Sequence, residues 1–154
     1  MVVIKPKTVV KMKLEGASAS HSRIDVRARD LTSTIDEPVE RGGTNEGLSP
    51  TETLMAALIG CTNTICHRVA EKNGVEIQAM KVRVEAEFDR RGVTLAEELD
   101  VPFPSLTLYI DLTTGAEDAA LERVKRELGM YCPVSKVIRQ SGTQVNEVWT
   151  VTRP

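Results

Sequence analysis

The chain contains three cysteines, and their positions define the chemistry that its side chains could perform. Cys61 and Cys66 lie in the apolar stretch LIGCTNTICH, and Cys132 follows far along the chain in YCPVSKV. Three uses compete for these thiols: inert packing in a core, a metal site completed by His67, or redox chemistry between two cysteines. An odd number of cysteines argues against a framework of structural disulfides.

A metal site is disfavoured by the geometry of the helix predicted for this stretch. At about 100° per residue, Cys66 is turned about 140° from Cys61 and His67 about 240°, so the three side chains cannot converge on one ion. The glycines of ERGGTNEGLSP also lack the spacing of a phosphate-binding loop. We therefore expect neither a metal nor a bound cofactor.

With a metal site disfavoured, packing and redox chemistry are the remaining roles for each of the three thiols. Cys66 shares a helical stripe with apolar residues, and free cysteine is often buried, so we interpret Cys66 as packing and His67 as a surface or hydrogen-bonded histidine. Cys61 lies on a different stripe, where packing and chemistry are equally compatible with its surroundings. Cys132 precedes Pro133 at the predicted N-cap of a short helix, where free N–H groups and the helix dipole stabilise a thiolate. This position favours Cys132 as the more acidic thiol.

The helix that carries Cys61 has clear start and stop signals. Ser49, Pro50 and Glu52 form a capping box with proline at the first helical position, which predicts a helix from residue 50 to about 72. The pair NG at 73–74 ends it. Its segment LMAALIGC is apolar on every side, which predicts a helix buried all round, by a sheet or by a partner subunit.

The rest of the chain alternates in side-chain character with period two, apart from two short amphipathic helices before and after Cys132. Strands are predicted at 8–14, 22–29 and 31–36, with EGASASH as the first hairpin turn, then within 75–89, at 105–113 and at 143–152. The strand at 105–113 is expected to lie antiparallel to the one before it. The order βββ, α, ββ, αα, β lacks the strict alternation of a doubly wound fold, so we predict one α+β domain over residues 1–154.

Composition excludes several classes of function. The chain has 154 residues with a net charge of -2, and only 3% of them are aromatic. Because it has no basic run and few aromatic rings, nucleic-acid binding is disfavoured. No segment approaches the roughly 18 apolar residues that span a bilayer, and the N-terminal segment lacks the apolar core of a secretory signal. We therefore expect a cytoplasmic protein that does not bind membranes.

Two blocks, DEPVERGGTNEGLSPTETLMAALIGCT and CPVSKVI, resemble the OsmC/Ohr superfamily of osmotically inducible and organic hydroperoxide resistance proteins. The resemblance implies an antiparallel sheet packed on a long central helix, in an intertwined homodimer with active sites at the subunit interface. It also implies a thiol peroxidase. Cys61 would attack a small organic hydroperoxide and become a sulfenic acid, which Cys132 would capture as a disulfide. An external dithiol, such as a lipoylated protein, would reduce that disulfide; reduction of hydrogen peroxide stays open.

The sequence departs from the superfamily pattern around the attacking thiol. The resemblance assigns the attack to Cys61, whereas helix position favours Cys132, and we follow the resemblance. It also implies an arginine that holds the thiolate and a glutamate, directly after the helix-initial proline, that holds this arginine. Position 51 is threonine, and the nearby acid Glu52 projects about 180° from Cys61 on a regular helix. Glu52 is the better match to the pattern that the resemblance implies for the broader OsmC-like branch.

The expected hairpin turn contains no arginine, so the arginine that would hold the thiolate has several candidates. Arg23 and Arg29 are the supporting residues that we predict, with Arg27 and Arg68 as unranked substitutes. The absence of an arginine from the expected hairpin turn also supports an alternative function. In that alternative, the protein is a non-catalytic dimer that binds a small apolar ligand or senses redox state.

Overall fold

The computed structural model describes residues 7–154, which form two compact units, one ending at Leu54 and the other beginning at Met55. The α+β class and the predicted order of elements are confirmed, whereas the single domain stays a prediction. The elements are β1 (Glu15–Ser18), β2 (Ile24–Ala28), β3 (Leu31–Ile35), α1 (Pro50–Lys72), β4 (Ala79–Ala86), β5 (Ser105–Thr113), α2 (Asp118–Tyr131), α3 (Pro133–Gln140) and β6 (Gln144–Thr152). No helix within residues 7–154 has the length and apolarity needed to cross a membrane.

The N-terminal unit contains an antiparallel sheet in the order β1-β2-β3. The prediction of a first strand at 8–14 is wrong, because those residues belong to no strand and β1 lies in EGAS, within the predicted turn. The Ser20 hydroxyl accepts hydrogen bonds from the N–H groups of Ser22 and Arg23 at 3.3 and 3.0 Å and so closes a shorter turn. The residues that face β2 are therefore those immediately before this turn, since turn geometry sets the register of a hairpin.

Asp36 organises the loop between β3 and α1. Its carboxylate is fully buried, and Oδ2 accepts hydrogen bonds from the Thr44 hydroxyl at 2.6 Å, the Thr44 N–H at 2.9 Å and the Glu46 N–H at 3.1 Å. The Thr44 hydroxyl makes the largest contribution to a pKa of Asp36 below the usual value for a carboxyl group. The loop thus depends on a charged carboxylate, because three donors converge on one oxygen.

Acidification should loosen this loop. Because the pKa of Asp36 is lower in the folded than in the unfolded state, its contribution to stability is present above the unfolded value of about 3.9 and is lost as the pH falls through the folded value. Amide hydrogen exchange at Thr44 and Glu46 should therefore accelerate in acid. Asp36→Asn should show the fast exchange already at neutral pH. Slow exchange in Asp36→Asn would contradict this role.

Helix α1 begins and ends where the sequence signals predict, at Pro50 and Lys72. It buries one stripe, whereas Leu54 on another face is 40% exposed. Burial of the helix on every side, by a sheet or by a partner subunit, stays a prediction. The buried stripe consists of Leu58, Thr62, Cys66, Val69 and Ala70.

The C-terminal unit has the strand order β4-β5-β6, with β4 antiparallel to β5 as predicted. One strand departs from the predicted antiparallel arrangement, because β6 runs parallel to β5. Helices α2 and α3 lie between these two strands in the chain, and a parallel pair needs such a crossover connection. The inner face of β5 carries the centre of the core, which it shares with α1 and α2. The buried side chains of this face are Leu106, Leu108, Ile110 and Leu112.

Candidate functional site

The structure brings Cys61 and Cys132 together. Their sulfur atoms lie 3.0 Å apart, and both cysteines are free thiols. The separation exceeds the bond length of about 2.05 Å in a disulfide, so the pair is reduced but in contact. Cys132 is buried, with 1% of its surface exposed, whereas Cys61 is partly exposed. A molecule arriving from solvent therefore has access to Cys61 and not to Cys132.

The position of Cys132 follows from the break between α2 and α3. Its N–H donates to the Leu128 carbonyl at 3.0 Å and closes α2, while its own carbonyl accepts the Lys136 N–H at 3.0 Å and opens α3. Pro133 occupies the first position of α3, where its missing N–H costs no helical hydrogen bond. The predicted N-cap is confirmed, and the thiol is held at a fixed point of the backbone.

The predicted acidity of Cys132 is wrong. Burial and the adjacent Cys61 raise the pKa of the Cys132 thiol, and the backbone N–H groups of Ser135 and Val134 offset only part of this effect. No cap hydrogen bond to the side chain forms at the start of α3. Loss of solvation thus outweighs the helix terminus, and the Cys132 S–H donates a hydrogen bond to Cys61 Sγ.

Cys66 belongs to the core, as predicted. It is completely buried, and burial, with a smaller contribution from Glu147, raises the pKa of its thiol to about 11. His67 is exposed on another face, where Nδ1 lies 2.9 Å from the Asn63 carbonyl of the same helix. Neither side chain joins the thiol pair. Among residues 7–154, no three histidine, cysteine or acidic side chains cluster in a way that could hold a metal ion.

Glu52 caps the first turn of α1 together with Ser49. Its carboxylate accepts the Ser49 N–H at 2.8 Å, and its own N–H donates to the Ser49 hydroxyl at 3.3 Å, which confirms the capping box. The Ser49 N–H lowers the pKa of Glu52 by stabilising the charged form. The support of an arginine by Glu52 stays a prediction, and the carboxylate is already engaged by the helix terminus.

Arg23 and Arg29, the two arginines predicted to support the thiolate, lie in the N-terminal unit. Arg23 forms a salt bridge with Glu46 and a longer one with Asp25 at 3.5 Å. Arg29 is exposed in the turn between β2 and β3, with a backbone φ of 57°. The guanidinium of Arg23 is thus already paired with carboxylates of its own unit. A role for either arginine beside a thiolate stays a prediction.

A shallow apolar groove of about 280 Å³ lies one to three turns along α1 from Cys61. Tyr131, directly before Cys132, forms one wall, and the Lys72 ammonium lies 5.3 Å from the centre of its ring. Sequence reasoning missed Tyr131, although its position beside Cys132 was a usable signal. The groove is lined by Ile65, Arg68, Val69, Lys72 and Tyr131.

Arg139, which sequence reasoning also missed, fastens α3 to β6. Its guanidinium donates to the Val145 carbonyl at 3.0 Å, to Glu147 Oε1 at 2.9 Å and to the Ser135 hydroxyl at 3.3 Å. Since Ser135 lies in the first turn of α3, these bonds fix the end of the helix that carries Cys132. The sequence offered no signal for a contact between an exposed helix position and a strand.

Arg139→Met should lower the free energy of unfolding by about 1–2 kcal/mol, because charge-assisted hydrogen bonds are lost and Glu147 loses its partner. Urea denaturation would measure the change. Lys136→Met is the matched control, since Lys136 is exposed on the same helix. Its effect should stay within about 0.5 kcal/mol. Equal effects of the two substitutions would contradict the role of Arg139.

A family model described as OsmC-like protein matches residues 43–148. The chain belongs to the OsmC-like family. The resemblance to the OsmC/Ohr superfamily is thereby confirmed, and the matched segment of this OsmC-like chain contains both thiols of the pair and all residues of the groove. No curated protein matches the sequence significantly.

Solved structures share the OsmC-like fold over nearly the whole chain. An OsmC-like protein from Mycoplasma pneumoniae has a TM-score of 0.78 at 14% identity, covering 93% of this chain and 98% of its own. An organic hydroperoxide resistance protein OsmC from Legionella pneumophila has a TM-score of 0.69 at 16% identity, covering 94% and 99%. An organic hydroperoxide resistance protein from Elizabethkingia anophelis has a TM-score of 0.69 at 14% identity, covering 96% and 100%. At these identities the likeness shows the fold alone.

Proposed function

We propose that this OsmC-like protein is a cysteine-based peroxidase that reduces organic hydroperoxides in defence against oxidative stress. The observation that carries the proposal is the contact of 3.0 Å between the sulfurs of Cys61 and Cys132. Membership of the OsmC/Ohr superfamily, with two similar structures named as organic hydroperoxide resistance proteins, supports a role in peroxide defence. We assign the attacking thiol to Cys61 and the resolving thiol to Cys132.

In the first step, the Cys61 thiolate attacks the terminal oxygen of the hydroperoxide. The O–O bond breaks, Cys61 gains the hydroxyl group as a sulfenic acid, and the other oxygen leaves as an alkoxide that takes a proton to become an alcohol. The sulfur is oxidised by two electrons and the peroxide is reduced by two. Partial exposure of Cys61 supports this assignment, because Cys132 is closed to a substrate from solvent.

The Cys132 thiol supports the charge on Cys61 before the attack. Its S–H donates to Cys61 Sγ, and a hydrogen bond to a charged acceptor stabilises the charged form. Arg68 lies two turns further along the same stripe of α1 than Cys61. We propose that its guanidinium is the cation that stabilises the Cys61 thiolate. Within the described part of the chain, no carboxylate forms a salt bridge with Arg68.

In the second step, the Cys132 sulfur attacks Cys61 sulfenic acid. The S–O bond breaks, an S–S bond forms, and the hydroxyl leaves with the Cys132 proton as water. The two sulfurs need to approach by only about 1 Å, from 3.0 Å to the bond length of about 2.05 Å. Disulfide formation therefore requires a side-chain adjustment and no local unfolding.

The remaining parts of the proposal concern substrate, assembly and the return to the dithiol state. The apolar walls Ile65, Val69 and Tyr131 fit the aliphatic body of an organic hydroperoxide. An external dithiol, such as a lipoylated protein, reduces the disulfide. The protein acts as a cytoplasmic homodimer, in which a partner covers the exposed face of α1 and completes the active site.

Counting thiols after mixing with an organic hydroperoxide tests the proposal. At one equivalent of cumene hydroperoxide, the reduced protein should lose two of its three thiols per chain, and mass spectrometry should find the peptide of Cys61 linked to that of Cys132. Size-exclusion chromatography with light scattering would give the oligomeric state. No loss of thiols at modest peroxide would reject the peroxidase.

One observation favours the alternative of a non-catalytic dimer. Arg23 is paired with Glu46 and Asp25, so this predicted partner of the thiolate is already engaged. The protein would then bind a small apolar ligand in the groove or report redox state through the thiol pair. Continuous consumption of hydroperoxide in the presence of dithiothreitol separates the two functions, since a binding protein or sensor would not turn over.

A further inference from the structure

The pair of sulfurs at 3.0 Å forms a chelating site for a thiophilic centre, independently of any reaction with peroxide. A structural zinc ion needs four ligands, and the described residues offer no cluster of three at this place. The occupant must therefore be satisfied by two protein sulfurs. This restricts it to ions that bind two thiolates in a linear arrangement and to trivalent arsenic, which binds three groups in a pyramid.

The distance between the two sulfurs distinguishes the linear ions from trivalent arsenic. With a bond of about 2.3 Å from the ion to each thiolate, a linear ion holds its sulfurs about 4.6 Å apart. Pyramidal bonds near a right angle, with the same length of about 2.3 Å, hold them about 3.3 Å apart. The observed 3.0 Å is close to the pyramidal arrangement. A linear ion would require the sulfurs to separate by more than 1 Å.

The third group bound to the arsenic would lie in a different environment from the two sulfurs. Cys132 is buried and Cys61 partly exposed, so the third group on the arsenic points away from the core. The apolar walls of the groove include Tyr131, which directly precedes Cys132, and Ile65, which lies one helical turn from Cys61. An aryl or alkyl substituent fits these walls better than the hydroxyl groups of inorganic arsenite.

We propose that Cys61 and Cys132 bind monosubstituted trivalent arsenicals as a dithiol chelate, with the organic substituent in the groove beside them. In this exchange two As–O bonds of the arsonous acid break and two As–S bonds form. The two thiol protons leave with the two hydroxyl groups as two molecules of water. Arsenic stays trivalent, so no oxidant or reductant is needed. The chelate rests on the two thiols, the placement of the substituent rests on the groove, and both survive failure of the peroxidase.

Phenylarsine oxide added to the reduced full-length protein is the direct test. Intact-mass measurement should find one phenylarsenic group per chain with loss of two thiols, resistant to glutathione and removed by 2,3-dimercaptopropanol. Cys61→Ser and Cys132→Ser should each weaken binding by roughly 100-fold or more, because the second bond becomes intermolecular or is lost. Cys66→Ala is the matched control and should bind like the parent. Circular dichroism of each variant establishes that it is folded.

Tyr131→Ala tests the placement of the substituent. It should weaken the binding of phenylarsine oxide by about 10-fold, as expected for a lost aromatic contact, and leave the binding of inorganic arsenite unchanged. Equal binding by Cys61→Ser and the parent, or loss of binding in folded Cys66→Ala, would overturn the chelate. An equal effect of Tyr131→Ala on both arsenicals would overturn the role of the groove.

Discussion

Cys61→Ser should abolish hydroperoxide reduction, lowering turnover by roughly a thousand-fold or more, because a serine hydroxyl does not attack a peroxide oxygen and the nucleophile carries the whole reaction. The fold should be retained, since Cys61 is partly exposed and serine is close to cysteine in size. A peroxide-consumption assay with dithiothreitol as reductant measures the loss. Labelling with dimedone should detect no sulfenic acid.

Cys66→Ala is the control for Cys61→Ser. Cys66 lies on the same helix but is buried in the core, with the pKa of its thiol raised to about 11, so it takes no part in the reaction. Its replacement by a small apolar residue should leave turnover within about two-fold, provided that the folded fraction is unchanged. If Cys61→Ser still consumed one equivalent of peroxide, the attacking thiol would be Cys132.

Cys132→Ser should separate the two chemical steps. Cys61 should still react once, with a rate of sulfenic acid formation within about ten-fold of the parent, because the serine hydroxyl can replace the S–H donor beside it. No disulfide can then form within the chain. Dimedone should trap the sulfenic acid, and excess peroxide should carry Cys61 on to the irreversible sulfinic acid.

The course of peroxide consumption makes the Cys132→Ser experiment decisive. The variant should consume one equivalent rapidly and then stop, whereas the parent continues as long as an external dithiol is present. Sustained turnover of the variant at the parental rate would show that the external thiol reduces the sulfenic acid directly. Cys132 would then not be the resolving thiol.

Local signals in the sequence predicted the helix of the site well. The capping box of Ser49 and Glu52 places the start of α1 at Pro50, and Asn73 with Gly74 places its end, because caps are decided by a few neighbouring residues. The N-cap position of Cys132 was predictable for the same reason. The proximity of the two thiols was not, since no local rule relates residues 61 and 132.

The wrong predictions depend on contacts that the side-chain pattern of a single segment does not show. Lysines alternating with apolar residues at 8–14 follow a strand pattern, but β2 pairs with Glu15–Ser18 because the Ser20 turn fixes the register. The expected acidity of Cys132 follows from its helix terminus, whereas its burial comes from packing that the sequence does not reveal. The parallel direction of β6 likewise depends on where α2 and α3 carry the chain.

The parallel pairing of β5 with β6 also has a consequence for folding during synthesis. β5 is the central strand of its sheet, and among the described residues its second edge is covered by β6, which follows it in the chain after α2 and α3. During synthesis, β4 and β5 emerge before β6 and expose an open edge with an apolar face until β6 leaves the ribosome. Such edges pair readily with other chains, so a chain truncated before β6 is expected to aggregate rather than fold.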